Sequence, residues 1–201
     1  LSAGKGSRIH EISGDIPKPL IDVNGKSTLE RNLLWLNHHN IDDIWVNVHH
    51  NYHAMVSAIN RIYPNINISY EEQLKGTAGA VSYVRKFWVQ KDYILVVYGD
   101  NIFNFDLQAM IKFHEEKQST ITVAIYDRHK NPNSGLSSGR VVEKGGEILE
   151  FVESADDSVS SKVNAGVYII NDKVAKNISD RKMFDFGYNV FPPSIEGGPV
   201  F

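Results

Sequence analysis

The chain contains no cysteine. That excludes disulfides, thiolate nucleophiles and cysteine-ligated zinc, and it suits a reducing compartment. An excess of one charge sign is also missing. Lys and Arg number 21 against 24 Asp and Glu, for a formal charge of -3. Such a balance argues against non-specific nucleic-acid binding, which needs a basic field. It still allows a small anion held by local positive groups. No apolar run approaches the roughly 18–20 residues of a membrane span, and no secretory signal pattern is visible. Repeats and low-complexity stretches are absent as well. What remains is 201 residues, 42% of them apolar, enough for a sizeable core.

The chain opens Leu1-Ser2-Ala3-Gly4, with no Met, directly in a glycine-rich turn of the kind that follows a strand. It closes on Gly197-Gly198-Pro199-Val200-Phe201, a turn and the first residues of a strand-like run. The expectation is a single domain over 1–201 that has lost a strand before it and a tail after it. Strand patterns at 20–23, 44–48, 66–70, 93–98 and 120–126 alternate with helical spacing at 28–40, 53–63, 77–87 and 106–117. The run 93–98 is continuously apolar, as in a strand buried on both faces. Segments 140–144 and 147–151 flank Gly145-Gly146, a hairpin signal. Another strand is expected at 163–170, after an exposed Ser/Asp-rich loop at 156–162. The alternation predicts an α/β fold, a Rossmann-like three-layer α/β/α sandwich with a mixed, mostly parallel central sheet.

Several segments carry chemistry or imitate it. Gly4-Lys5-Gly6-Ser7-Arg8 is either a plain turn or a phosphate cradle, since closely spaced glycines let backbone N–H groups approach an anion. It is not a dinucleotide fingerprint, because the third glycine position is Ile9. Gly25-Lys26-Ser27-Thr28 imitates the end of a P-loop, but the required upstream glycine is Leu20, so the segment reads as a turn with a helix cap. His49, His50 and His53 lack a zinc-protease pattern and read as surface or a ligand-facing loop. Pro17-Lys18-Pro19 is a rigid loop or a deliberately aimed ammonium. Asp100, in Tyr98-Gly99-Asp100-Asn101, ends the apolar strand. It is either an ordinary turn residue or a carboxylate placed to hold Mg²⁺ against a triphosphate.

In order, these segments resemble the signature of the sugar-1-phosphate nucleotidyltransferases. The opening 1–8, Pro17-Lys18-Pro19-Leu20, Gly76-Thr77-Ala78-Gly79-Ala80, Tyr98-Gly99-Asp100-Asn101, Gly139, the 148–153 segment, Asn164-Ala165-Gly166-Val167-Tyr168 and Phe184-Asp185-Phe186-Gly187 carry the likeness. It spans nearly the whole chain and is nearest to the mannose-1-phosphate guanylyltransferase-like branch. The resemblance implies a cytoplasmic, Mg²⁺-dependent enzyme. It would join a nucleoside triphosphate, GTP by preference, to a sugar 1-phosphate of mannose or heptose type, releasing pyrophosphate.

The resemblance also implies roles. Arg8, Lys18 and Asp100 are catalytic, and Asp100 is the metal ligand. Leu1, Ala3, Gly4, Gly6, Ser7, Gln73, Gly76 and Thr77 bind the nucleotide. Gly139, Glu153 and Asn164 bind the sugar phosphate, although Asn164 also reads as a strand-edge polar residue. Departures accompany the match. Lys75 stands where an apolar residue is usual. Ser154 replaces a phosphate-binding lysine, for which Lys162 is a candidate substitute. A second metal ligand is expected beyond Phe201. Nucleic acid and membrane are not expected partners, and self-association is left open. Two further readings share the fold: a non-catalytic nucleotide-sugar-binding regulatory subunit, and a transferase using another phosphorylated acceptor such as phosphocholine.

Overall fold

A computed structural model describes residues 1–4, 16–88, 92–131, 139–179 and 183–201. Lys5, Gly6, Ser7 and Arg8 lie outside the described residues. The chain forms two compact units. One comprises Leu1–Leu74 with Tyr98–Leu107, the other Lys75–Val97 with Gln108–Phe201.

The first unit begins with a 3₁₀ turn over Lys18–Leu20, so Leu20 closes the rigid Pro17-Lys18-Pro19 loop and the strand expected from Leu20 is confined to Asp22–Val23. A short hairpin follows, β1 (Asp22–Val23) against β2 (Lys26–Ser27). Asn24 and Gly25 take positive φ (53° and 81°), as a two-residue hairpin turn requires. Helix α1 (Thr28–His38) is capped by Ser27, whose Oγ accepts the Glu30 N–H at 3.1 Å. It stops where Asn40 turns left-handed and the Ile41 N–H returns to the Leu36 carbonyl. Strand β3 (Trp45–Val48), helix α2 (Tyr52–Ile62) and strand β4 (Asn67–Tyr70) make a crossover with β3 and β4 parallel. Leu29, Leu33, Val46, Val48, Met55 and Ile59 are its core. Burial of each contributes roughly 1.5–3 kcal/mol.

The second unit holds helix α3 (Gly76–Arg85), β5 (Tyr93–Val97), helix α4 (Leu107–Glu116, whose first residue belongs to the first unit), β6 (Ile121–Asp127), β7 (Arg140–Lys144), β8 (Glu147–Val152) and β9 (Lys162–Asn171). Ile170 of β9 pairs with Ile94 on one edge and Ile121 on the other. Val163 pairs with Tyr126 and Arg140. Thus β5 and β7 share one edge of β9, β6 takes the other, and β8 continues from β7.

The mixed α/β class therefore holds. The expectation of mostly parallel pairing holds for β3–β4 and is corrected for the five-stranded sheet, where every described ladder is antiparallel. The reason is β9. Strands β5 and β6 run the same way, as their helical crossover predicts, but the later β9 inserts between them in the opposite sense. Strand β5 also alternates, with Ile94 and Val96 buried and Leu95 and Val97 half-buried, so it is not enclosed equally on both faces.

The Gly145-Gly146 turn closes the expected hairpin with φ of 63° and 91°. Helix α5 (Asp172–Asn177), a π-helical turn over Phe186–Val190 and helix α6 (Phe191–Gly197) follow β9. Phe151, Tyr168, Phe186 and Phe191 cluster with ring centroids 4.7–5.7 Å apart and form the aromatic part of the core. The strand-like end is used: the Phe201 N–H donates to the Ile121 carbonyl at 3.0 Å.

Candidate functional site

In the first unit, Lys18 and Asp100 meet although 82 positions separate them. Lys18 Nζ donates to Asp100 Oδ2 at 2.5 Å, with the two side chains 38% and 31% exposed. An ion pair this exposed contributes about 0–1 kcal/mol to stability. Its interest is chemical, since a cation and a carboxylate are presented together at solvent.

The surroundings fix them through the backbone. Pro17 and the Lys18–Leu20 turn hold the lysine, with the Leu20 N–H donating to the Pro17 carbonyl at 2.8 Å. The Asp100 turn follows β5 in the chain. The Gly99 N–H donates to the Leu1 carbonyl at 2.8 Å, and a Cβ at Gly99 would clash with Ser2 Oγ and lie 3.2 Å from the Leu1 carbonyl oxygen, so glycine eases this close approach of the opening segment. The Ser2 N–H donates to Asn47 Oδ1 at 2.7 Å, and Asn47 Nδ2 donates to Glu71 Oε1 at 2.7 Å. Ser2, Asn47 and Glu71 are all buried.

Leu1 is thereby placed beside the Asp100 turn, while Ala3 is buried and Gly4 exposed. Gly6, Ser7 and Arg8 lie outside the described residues. Gln73 is exposed. The His49 ring places Nδ1 2.8 Å from the Glu71 carbonyl oxygen. Among the described residues, no group of three or more His, Asp or Glu side chains is gathered to hold a metal ion.

In the second unit, Gly76 and Thr77 start α3, and the late segment closes on them. The Ala78 and Gly79 N–H groups donate to the Phe184 carbonyl at 3.0 and 3.1 Å. The Thr77 hydroxyl donates to Asp185 Oδ1 at 2.7 Å and accepts the Phe186 N–H at 3.0 Å. Two helix-terminal donors, which an anion would otherwise attract, are satisfied here by a backbone carbonyl.

The three residues assigned to the sugar phosphate also come together. The Asn164 N–H donates to the Gly139 carbonyl at 3.0 Å. A Cβ at Gly139 would meet Glu153 Oε2 at 3.3 Å, and one at Gly187 would meet Glu153 Cδ at 3.0 Å. Two glycines thus flank one carboxylate. The Asn164 amide works within the fold: Nδ2 donates to the Tyr168 hydroxyl at 2.6 Å and Oδ1 accepts the Gly166 N–H at 2.8 Å. It braces the irregular stretch of β9 where the register against β6 shifts. Lys162 Nζ, the candidate substitute phosphate ligand, pairs with the Glu143 carboxylate. Lys75 Nζ lies 4.9 Å over the Tyr83 ring.

Asn47, Glu71, Asp185 and Gly187 were not singled out individually as site residues from sequence. A buried Asn–Glu pair has no local signature, since its two members lie 24 positions apart on β3 and just beyond β4.

Known proteins resemble this chain throughout. UTP--glucose-1-phosphate uridylyltransferase of Synechocystis is 30% identical over all of this chain and 55% of its own length. D-glycero-alpha-D-manno-heptose 1-phosphate guanylyltransferase of Aneurinibacillus thermoaerophilus is 24% identical over 92% of this chain and 79% of its own. The chain thus spans little more than half of the first relative. The crystal structure of HddC from Yersinia pseudotuberculosis complexed with GMP-PN superposes with a TM-score of 0.77 at 22% identity. It covers 96% of this chain and 83% of that one. The likeness is one of fold, the Rossmann-like α/β arrangement. The nucleotidyl transferase family model matches residues 1–200, and the chain belongs to that family.

Proposed function

We propose that the protein transfers a nucleotidyl group from a nucleoside triphosphate to a sugar 1-phosphate, with GTP and a manno- or heptose-configured sugar as the preferred pair. The observation that carries this reading is the Lys18–Asp100 pair, held at 2.5 Å on a backbone pinned by the opening segment. A sugar phosphate oxygen attacks the α-phosphorus in line. The bond from that phosphorus to the bridging oxygen breaks, and pyrophosphate leaves with the electron pair. Two anions must approach each other, so positioning and charge neutralisation carry most of the catalysis.

The chain's residues suit those tasks. The Lys18 ammonium offsets repulsion between the reacting phosphates. The family resemblance assigns the triphosphate to Leu1, Ala3, Gly4, Gly6 and Ser7, and charge neutralisation at the departing pyrophosphate to Arg8. Gln73 with Gly76 and Thr77 reads the base. Gly139, Glu153 and Asn164 serve the sugar. A carboxylate such as Glu153 accepts from two hydroxyls at once.

A single, partly exposed carboxylate fits Mg²⁺, which takes one or two carboxylates plus phosphate oxygens and not an all-protein cage. Asp100 would hold the ion. Bound there, Mg²⁺ supplies charge neutralisation at the phosphate oxygens. The guanine preference draws on the guanylyltransferase relative, while uridylyltransferase and adenylyltransferase relatives name competing bases.

The test is pyrophosphate release by the full-length protein with Mg²⁺, each of GTP, CTP, UTP, dTTP and ATP, and a panel of sugar 1-phosphates plus phosphocholine. Release with GTP and a manno- or heptose 1-phosphate is expected. Preference for another base or sugar overturns the substrate assignment. Release only with phosphocholine, or none at all, overturns the sugar-phosphate reading.

A further inference from the structure

Helix α1 carries two buried polar side chains one turn apart. Thr28 is 7% exposed and Asn32 3%, beside the inward-facing Leu29, Leu33 and Leu36. The proposed chemistry uses neither. Thr28 Oγ1 lies 3.0 Å from the Pro19 carbonyl oxygen and 3.1 Å from the Gly99 carbonyl oxygen. A hydroxyl has one proton to give, so both carbonyls share it. Pro19 directly follows Lys18, and Gly99 directly precedes Asp100. One hydroxyl therefore ties together the peptides adjoining the two charges. Asn32 Nδ2 donates to the Asn101 carbonyl at 2.8 Å, on the other flank of Asp100.

The Lys18 and Asp100 side chains are each about a third exposed, so their mutual contact is a weak constraint on where they stand. The backbone beneath them sets their separation, and the α1 face holds that backbone. The geometry points to Thr28 as a positioning residue: its shared hydroxyl fixes the spacing of the Lys18 and Asp100 segments, and through it the rate of nucleotidyl transfer. This rests on the proposed role of Lys18 and Asp100 at the phosphates.

Thr28→Val keeps the volume and removes the shared proton, while Thr28→Ser keeps the proton. The full-length protein and both variants are compared for pyrophosphate release, with kcat and KM separated, well below each variant's Tm. Thr28→Val is expected to lose about tenfold to a hundredfold in kcat, the scale of small misplacements at a reacting centre. Its KM for the sugar phosphate stays within about threefold, and Thr28→Ser recovers kcat to within about threefold of the parent. A merely structural hydroxyl would lower Tm and leave the kcat of the folded enzyme alone. A Thr28→Val kcat within about threefold of the parent overturns the inference, as does a Thr28→Ser variant equally impaired. Should Thr28→Val fail to fold, Thr28→Ala replaces it in the same comparison. If the parent itself releases no pyrophosphate with any substrate pair, the functional reading fails first and the inference falls with it.

Discussion

Replacing Gly76 by alanine combines two separate costs. Gly76 has φ of +77°, and a Cβ there would lie 2.8 Å from the Phe184 carbonyl carbon and 2.9 Å from the Phe184 nitrogen, with the oxygen nearer still. That peptide has little freedom to retreat. Its oxygen accepts the Ala78 and Gly79 N–H groups at 3.0 and 3.1 Å, and the Phe184 N–H donates to the Lys75 carbonyl at 2.8 Å. The left-handed backbone costs an L-residue about 1–2 kcal/mol. Displacing the peptide weakens three hydrogen bonds, each worth about 1 kcal/mol. The stiffer unfolded chain returns about 0.4–1 kcal/mol. The net expectation for Gly76→Ala is a loss of about 2–4 kcal/mol, or roughly 5–15 °C in Tm for a chain of this size.

Gly146→Ala provides the control. Its φ is +91°, but the nearest atom to a Cβ is Phe113 Cζ at 3.8 Å, so only the backbone cost applies. That variant should lose about 1 kcal/mol or less. Urea and thermal unfolding of both variants give the comparison. Equal losses, within about 0.5 kcal/mol, would refute the claim that the Phe184 peptide closes rigidly on the start of α3.

Two further outcomes follow from the second unit. The Asp172 carboxyl is held down to about 2, first by its hydrogen bonds to Arg85 (2.6 and 3.1 Å) and then by Lys176 at 2.8 Å. A depressed carboxyl stabilises the fold above its unfolded value near 3.8, and this is lost as pH falls from about 4 through 2. Asp172→Asn should therefore flatten the acid limb by no more than about 2 kcal/mol in pH-dependent urea unfolding. An unchanged limb would contradict that assignment. Gly187→Ala places a methyl against the Glu153 carboxylate. Under the proposed function it raises KM for the sugar phosphate about tenfold and leaves KM for the triphosphate alone, consistent with losing a hydrogen bond to a charged group. Steady-state kinetics with equal changes in both constants would remove Glu153 from the sugar site.

Local structure was widely legible in the sequence because local chemistry determines it. Gly25 and Gly145-Gly146 read as turns and all three take positive φ, and Ser27-Thr28 read as a helix cap, of which Ser27 is the residue that caps. The strand-helix alternation announced β3, α2 and β4 as a parallel crossover. Long-range placement was less legible. Nothing local shows that β9 will insert antiparallel between β5 and β6, since the register of a late strand depends on partners 35–78 positions away. The helices and π-turn after β9 carry short, weakly periodic patterns broken by Pro192 and Pro193.

The candidate site divides in the same way. Lys18 and Asp100 were identified from their segments, and the fold pairs them. Thr28 and Asn32 left only a faint trace, two polar residues at helical spacing along an apolar face. Their acceptors are carbonyls of other segments, which no side-chain pattern reports. Lys162 looked available in sequence, but it pairs with Glu143 across the sheet.

The most direct test of the central claim replaces Asp100 by asparagine in the full-length protein and measures pyrophosphate release at saturating substrates with Mg²⁺. Asparagine keeps the size of the side chain and removes the negative charge. If Asp100 holds the cation that neutralises the reacting phosphates, kcat should fall by about a hundredfold to a thousandfold while the thermal transition stays close to the parent's. Turnover within about threefold of the parent would contradict the account.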